Sequence, residues 1–328
     1  MNTALPLVSI ALTTYNGERY LAQQMNSLLA QDYPNLEIVV SDDGSSDGTL
    51  TLLHRYAAQD VRVRILPAQT NLGFNGNFAR CFAACRGELI SPCDQDDIWH
   101  PDKTRRLFEH LADATAIYCN SRFVDGEGES LNRRMSDDVR MVQGSDPRAF
   151  LFGNSVSGHA MLFRSSLLAA AGDTPTGLYF DWWLAFVASN VGRLSYLDAV
   201  LVDYRRHGQA ITCAPQRQDA AQRRLTTLRL YAQRFTAMAA YVGPQQHFIQ
   251  QLHRYWLDWY QALFGWAMFR FMLRHADALF QASPARRSSW QRASKYLLGH
   301  RLKRLLWPRA YLPLDVAATP AQAERGFL

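Results

Sequence analysis

The sequence predicts an α/β fold, with a mostly parallel sheet covered by helices on both faces and followed by a C-terminal helical region. Three observations carry this. Short apolar runs alternate with segments of helical periodicity as far as about residue 91. Polar, turn-rich stretches follow several of those runs. From about Cys213 the pattern changes to long amphipathic helices.

Leu7 to Leu12 is an apolar run bounded by Pro6 and Thr13-Thr14, which reads as a buried strand. Tyr20 to Ala30 places Leu21, Met25, Leu28 and Leu29 at helical spacing, and Tyr33-Pro34-Asn35 stops it. Leu36 to Val40 is a second strand. It runs into Ser41-Asp42-Asp43-Gly44-Ser45-Ser46-Asp47-Gly48, a turn-rich loop that leads to a helix over Thr49 to Ala58. Val61 to Leu66 is a third strand, Asn75 to Cys85 a helix, and Glu88 to Ser91 a fourth strand. Strands separated by helices imply βαβ units and a parallel sheet buried on both faces. Such sheets bind ligands beyond the carboxyl ends of their strands, so chemistry is expected in the loops after Leu12, Val40 and Ser91.

The net charge of +6 conceals an asymmetry: residues 1–213 carry 18 Lys and Arg against 24 Asp and Glu, and residues 214–328 carry 17 against 5. An acidic half followed by a basic one suggests catalysis near a cation and attachment to something anionic. Five cysteines (Cys81, Cys85, Cys93, Cys119, Cys213) form no CxxC pair and read as reduced thiols. Met1 to Pro6 shows no signal-peptide pattern. Asp258 and Arg270 interrupt the best apolar stretch, so no transmembrane span is expected.

Asp94-Gln95-Asp96-Asp97 follows the fourth strand, with Trp99 and Pro101 behind it. Carboxylates packed this closely repel one another unless a cation sits among them. A hard divalent ion such as Mn²⁺ or Mg²⁺ is the usual answer, and it would neutralise a diphosphate leaving group. The structural alternative is a solvated turn in which Asp97 caps a helix starting near Pro101.

Val8-Ser9-Ile10-Ala11-Leu12-Thr13-Thr14-Tyr15-Asn16-Gly17-Glu18 resembles the opening strand and loop of family-2 glycosyltransferases. Asp42-Asp43-Gly44-Ser45-Ser46-Asp47-Gly48-Thr49 resembles their second loop, and Asp94-Gln95-Asp96 their DxD motif, in the family's order and spacing over residues 7 to about 212. The resemblance implies a GT-A fold over residues 1–212, with a nucleotide-binding part of about 1–120 and an acceptor part of about 121–212, ahead of a basic amphipathic helical region over 213–328. It implies inverting, metal-dependent sugar transfer. Thr13 and Tyr15 would line the base pocket, and Asp42 or Asp43 would accept the N3–H of a uracil or thymine. Asp96 would bind the metal, and Asp94 would sit near the ribose or the metal, with Gln95 between them. Asn71 and Gly73 keep the family's Asn-x-Gly pattern and, with Asn77 and Gln95, fall in the implied nucleotide-sugar site, but Phe78-Ala79 stands where many relatives carry Arg-Asn. Asn77-Phe78 and the string Asp94 to Trp99 instead resemble the rhamnosyltransferase-like subgroup. The implied donor is therefore a dTDP-sugar, L-rhamnose above all, with a UDP-sugar as the alternative.

A second constellation lies downstream. Asp181, in Tyr179-Phe180-Asp181-Trp182-Trp183-Leu184, falls where the family's general base would be, a group needed because a sugar hydroxyl is a poor nucleophile. Its structural alternative is a helix N-cap. Gly158 and His159 fall on the acceptor side, and Trp182 and Trp183 offer flat faces for a sugar ring or core packing. His207 resembles the late histidine that completes the metal site in some relatives. Arg205 could donate to diphosphate oxygens or face solvent.

From Arg286 to Arg309, basic residues interleave with Trp290, Leu297, Leu298, Leu302, Leu305, Leu306 and Trp307. A basic amphipathic helix of this kind suits an anionic membrane surface, and the implied acceptor is a lipid-linked saccharide. The expected location is cytoplasmic, peripheral on the inner face of the membrane. No nucleic-acid motif accompanies the charge. A nucleotidyltransferase would need a Gly-rich basic loop after the first strand, which Thr13 to Glu18 lacks. A non-catalytic sugar-binding adaptor predicts loss of acidic groups, yet Asp96 and Asp181 are present.

Overall fold

A computed structural model describes residues 5–207, 219–283 and 288–312. They divide into two units. The first holds the described residues up to Ser145 together with Asn154–Thr174 and Tyr179–Arg206; the second holds Asp146–Gly153, Pro175–Leu178 and the described residues from His207 onward.

In the first unit the chain runs β1 (Val8–Thr14), α1 (Glu18–Leu29), β2 (Leu36–Asp42), α2 (Thr49–Gln59), β3 (Val63–Ile65), α3 (Gly73–Ala84) and β4 (Leu89–Cys93). It continues through β5 (Ile98–Trp99), α4 (Lys103–Leu111), β6 (Ala116–Val124), β7 (Ser130–Arg134) and α5 (Met135–Asp138). β8 (Met161–Arg164), α6 (Ser166–Ala171), α7 (Phe180–Val191) and β9 (Leu194–Arg205) complete it. One mixed sheet results, in the order β3-β2-β1-β4-β8-β6-β9-β5, with β7 on β6. β1 is parallel to both β2 and β4, and every one of its residues is buried. β8 runs antiparallel to its two neighbours, and β6 and β9 are parallel again. Helix α1 buries Leu21, Met25 and Leu28 on one face, in the core that holds Val8, Ile10 and Leu12 of β1.

The register sets the site. Thr14 pairs with Asp42 and Leu12 with Cys93, so the carboxyl ends of β1, β2 and β4 finish side by side. β1 and β2 each run two residues beyond the strands expected from apolar content, through Thr13-Thr14 and Ser41-Asp42. The reason is a cross-strand bond: Thr14 Oγ1 donates to Asp42 Oδ1 at 2.8 Å, so these polar side chains are satisfied within the sheet.

The second unit contains α8 (Ala220–Ala240), α9 (Gln246–Gln261), α10 (Trp266–Leu279), α11 (Ser289–Ser294) and α12 (His300–Leu306). Phe235, Met238, Leu252, Trp256, Met268 and Met272 are buried there. The expected basic amphipathic helix is instead two short helices, and Arg286 and Arg287 lie outside the described residues. Backbone pairing interrupts it: Gly265 N donates to Leu297 O and Gly299 N to Leu263 O, both at 2.8 Å. A Cβ on Gly299 would stand 2.0 Å from the Ala262 carbonyl oxygen, so the chain passes too closely for any other residue. Among the described residues no helix is long and apolar enough to cross a membrane. Cys81, Cys85, Cys93 and Cys119 are free, and Cys213 lies outside the described residues.

Candidate active site

Two loops at the carboxyl end of the sheet are stitched together. Asn16 N donates to Ser45 Oγ, Ser46 N to Asn16 Oδ1, Gly17 N to Thr49 Oγ1 and Gly48 N to Glu18 Oε2, all within 2.9 Å. Gln95 joins them to the loop after β4. Its Oε1 accepts from Tyr15 N at 2.8 Å and its Nε2 donates to Tyr15 O at 3.0 Å. Gly17 is what admits it, since a Cβ there would meet Gln95 Oε1 at 2.1 Å. Gln95 is thus a clamp on the loop, and the Tyr15 side chain remains about half exposed at 49%. Thr13 is buried at the end of β1.

The two neighbouring aspartates separate. Asp42 accepts four hydrogen bonds, from Thr14 Oγ1 and Ser45 Oγ at Oδ1 and from Gly44 N and Ser45 N at Oδ2. Of the two aspartates expected for a base, Asp42 thus has all its lone pairs engaged within the protein. Asp43 accepts Leu72 N at 2.7 Å and Gly73 N at 2.9 Å, one at each oxygen, and keeps a lone pair on each. Asn71 Nδ2 donates to the Asp43 carbonyl, and Gly73, at φ 73°, opens α3 against the same carboxylate. Asn77 is likewise held by the protein. It is buried, with Nδ2 donating to Ser41 O and Thr14 O and Oδ1 accepting from Ser41 Oγ, so it ties β1 to β2.

The acidic run folds inward. Asp97 is fully buried, and its Oδ1 accepts from Arg205 N at 3.0 Å, so it does not cap the following helix; Asp102 holds that position on α4. Asp94, Asp97 and His159 bring one ligand atom each to within 4.8 Å of one another. His159 Nδ1 stands 3.3 Å from Asp97 Oδ2 and 3.9 Å from Asp94 Oδ2, while its Nε2 lies 2.9 Å from Ser121 Oγ. His159, expected on the acceptor side, is buried and turned toward the acidic cluster. Burial, aided by Asp96 and Asp181, pushes the Asp94 carboxyl up to about 8. Burial with Asp96 and Asp94 pushes Asp97 well above the carboxylate range, and burial with Lys103 holds His159 down to about 3. Beneath them Lys103 is fully buried, its Nζ donating to Ser91 Oγ at 3.0 Å and lying 3.1 Å from the Trp99 ring centroid. Burial brings Lys103 down to about 7.

These residues fit a hard divalent cation. Asp97 Oδ2 is buried with no hydrogen-bond partner, and a neutral imidazole and a crowded carboxylate sit beside it. Asp94, Asp97 and His159 would hold the ion, with Asp96 adjacent and Ser121 fixing the imidazole tautomer from behind.

Asp181 lies in the first turn of α7, where Tyr179 rather than Asp181 is the N-cap. Its Oδ1 accepts from Trp182 N at 2.6 Å and its Oδ2 from Gly158 N at 3.3 Å. Gly158 packs so tightly on Phe180 that a Cβ would come within 2.5 Å of the ring, and its amide positions the carboxylate. Burial pushes Asp181 up to about 6 despite these bonds, and its charge in turn raises Asp94. Trp182 is half-buried. Trp183 is a core residue, with Nε1 donating to Ala171 O and the ring stacked on Phe186, which corrects its acceptor role.

Arg205 is the other correction. Its Nε donates to Asp96 O, Nη1 to Asp125 O and Gly126 O, and Nη2 to Gln23 Oε1 at 2.6 Å, with 1% of the residue exposed. Four of its five N–H donors are thus committed to the protein, and it braces the acidic loop. His207 falls in the second unit.

Residues 9–169 match the sequence profile of Glycosyl transferase family 2. This part of the chain belongs to that family. A Nostoc sp. protein described as an uncharacterized glycosyltransferase is 27% identical over 215 residues, 61% of this chain and 65% of its own length. Escherichia coli chondroitin synthase is 32% identical over 131 residues, 39% of this chain and 19% of that protein. The chain spans less than two thirds of the length of the first curated relatives it matches, at 65%, 66% and 60%. Two solved structures share the fold. S. aureus TarS 1–349 in complex with UDP-GlcNAc superposes with a TM-score of 0.57 at 15% identity, covering 98% of this chain and 89% of that one. A Pyrobaculum calidifontis mannosyltransferase in complex with GDP-Man and Mn²⁺ gives 0.53 at 20% identity, over 94% and 89%. The fold of this chain is GT-A.

Proposed function

We propose that this chain transfers a sugar from a nucleotide-diphosphate donor to a saccharide acceptor of a surface polysaccharide or lipopolysaccharide precursor, with inversion at the anomeric carbon. The observation that carries the reading is the opposition of Asp181 and the acidic cluster. A carboxyl held at about 6 is ionised at neutral pH and basic enough to take a proton, and it sits near enough to Asp94 to raise its pKa. Asp181 would accept the proton of the acceptor hydroxyl as that oxygen attacks the anomeric carbon. A divalent cation, Mn²⁺ or Mg²⁺, would neutralise the departing diphosphate when bound. Gly158 N and Trp182 N hold the base, while Arg205 and Gln95 hold the loops that shape the donor site.

Asp43 is the residue for the base, because its two free lone pairs can receive an N3–H. Uracil and thymine carry that proton and cytosine does not. The protein should therefore bind UDP and dTDP at least tenfold better than CDP in calorimetric titrations with Mn²⁺. Asp43→Asn should weaken UDP and dTDP about tenfold or more, the scale of a hydrogen bond to a charged group. Equal binding of CDP would remove this role. The donor sugar we favour is L-rhamnose from dTDP-rhamnose, on the resemblance of Asp94 to Trp99 to the rhamnosyltransferase-like subgroup, with a UDP-sugar as the alternative.

Peripheral membrane attachment follows from the second unit, where Trp290, Leu305, Leu306 and Trp307 are exposed and Arg301, Arg304 and Arg309 lie close by in the chain. Basic residues near an anionic surface contribute ~1 kcal/mol each, screened by salt. Vesicles containing phosphatidylglycerol should retain the protein at low salt and release it at high salt. Replacing Arg301, Arg304 and Arg309 with Gln should release it at either. Retention of the triple variant would make this face an ordinary solvated surface.

A further inference from the structure

The second unit contains a cavity of about 470 Å³ that the transfer reaction does not use. Its aromatic walls include Trp256, Trp259 and Tyr296, each at most 6% exposed, and Arg223, Arg224 and Lys295 form an exposed rim. Four cations, Arg223, Arg224, Lys295 and Lys303, also line it, and among the described residues no carboxylate does. Like charges gather here: Lys303 Nζ donates to Lys295 O at 2.5 Å and lies 5.1 Å from the Trp259 ring centroid. Arg224 leans on the Tyr311 ring at 5.2 Å and donates to Ala310 O. Burial and Lys295 hold Lys303 down to about 8, the condition of an ammonium short of a counter-charge.

His300 supplies a second, independent sign. It lines the same cavity, is 1% exposed, and stacks on Tyr260 with centroids 4.7 Å apart. Its Nε2 lies 3.3 Å from Leu312 O, a carbonyl that can only accept, so the proton belongs on Nε2. Nδ1 is then an acceptor, and it is buried with no hydrogen-bond partner. An orphaned buried acceptor calls for a donor, and a ligand hydroxyl is one.

We propose that this cavity binds a phosphoryl-bearing sugar, with the phosphoryl group among Arg223, Arg224, Lys295 and Lys303 and the ring against the tryptophans, one hydroxyl donating to His300 Nδ1. A phosphoryl group carries up to two negative charges and several acceptor oxygens, which answers four cations better than a single carboxylate does. Sugar rings present C–H faces that pack on aromatic rings, and the walls provide them. As a holding site for acceptor glycan the assignment rests on the glycosyl-transfer reading; as a binding site it stands without it.

Calorimetry on the full chain in EDTA, with no nucleotide present, tests the site apart from catalysis. The probe is α-D-glucose 1-phosphate, against inorganic phosphate, glucose and phosphatidylglycerol vesicles. Glucose 1-phosphate should bind at least tenfold tighter than phosphate or glucose and should quench tryptophan fluorescence. Arg223→Gln with Lys295→Gln, both on exposed positions, should weaken it tenfold or more without shifting the melting temperature. Asp181→Asn should bind it as the wild type does, so failure of the catalytic reading leaves this result intact. Phosphate binding as tightly as glucose 1-phosphate would reduce the cavity to a cationic patch. Unchanged affinity in the double variant would place the sugar elsewhere. Competition by the vesicles alone, without sugar-phosphate binding, would assign the cations to a lipid surface and overturn the proposal.

Discussion

Asp181→Asn should lower turnover by ~10²–10⁴-fold, the usual contribution of a positioned general base, while leaving donor affinity near normal. Asparagine keeps the side-chain oxygen that accepts from Trp182 N and Gly158 N, so the start of α7 should hold its shape. What it loses is the capacity to take a proton. The wild-type rate should fall as pH drops through about 6, where Asp181 becomes protonated, and this limb should vanish from the residual rate of the variant. Calorimetry with UDP or dTDP and Mn²⁺ supplies the binding arm, and initial rates with donor and acceptor supply the turnover arm. Turnover within a few-fold of wild type would move the base to another group. A collapsed melting temperature would show that the carboxylate serves mainly to start the helix.

The nucleotide-binding half of the fold was legible because its strands are apolar throughout and its helices keep a 3.6-residue period. The sheet beyond β4 was not. β6 reads Ala-Ile-Tyr-Cys-Asn-Ser-Arg-Phe-Val, and its polar centre, Asn120 to Arg122, breaks any strand pattern. Their polar groups are satisfied by partners distant in sequence: Ser121 Oγ lies 2.9 Å from His159 Nε2, and Arg122 pairs with Asp203 at 2.8 Å. Polar residues paired in this way hide the strand that carries them.

The same holds within the site. Motif spacing located the acidic loop and Asp181, since neighbours in sequence and strand ends need no tertiary information. It could not separate residues that contact a ligand from residues that hold the loops. Asp42, Asn77, Arg205 and Trp183 stand in or beside the motifs, yet their hydrogen-bonding groups are turned to the protein itself. Only the count of donors and acceptors distinguishes Asp42, with four bonds, from Asp43, with two. The proximity of His159 to the carboxylates is hidden for a related reason. It is distant in sequence from Asp97, and nothing local announces that β8 lies beside β4 and delivers the imidazole to the carboxylates.

Removing the cation should abolish activity, and its affinity should depend steeply on pH. Asp94 is held at about 8 and so carries a proton at neutral pH in the metal-free protein. A cation that binds Asp94 must displace that proton, so apparent affinity should fall with a slope approaching tenfold per pH unit well below 8, and about 50-fold between pH 8 and pH 6, for the one group. Mn²⁺ binding at pH 7 should therefore release protons, from Asp94 and from the likewise raised Asp97, read from the dependence of the calorimetric heat on buffer ionisation. The stability sign agrees. A carboxyl raised in the folded state keeps its proton where the unfolded chain has lost it, so its contribution is present at low pH and lost as pH rises through about 8. Mn²⁺ restores that loss, and should raise the melting temperature more at pH 8 than at pH 6. His159, held at about 3, stays neutral across this window and adds no proton to the count. EDTA, or Asp97→Ala, should take turnover to the limit of detection, and Asp97→Ala should also lose the Mn²⁺-induced shift. Full activity in EDTA, or an equal shift at both pH values with no proton released, would show that the acidic cluster is not a cation site.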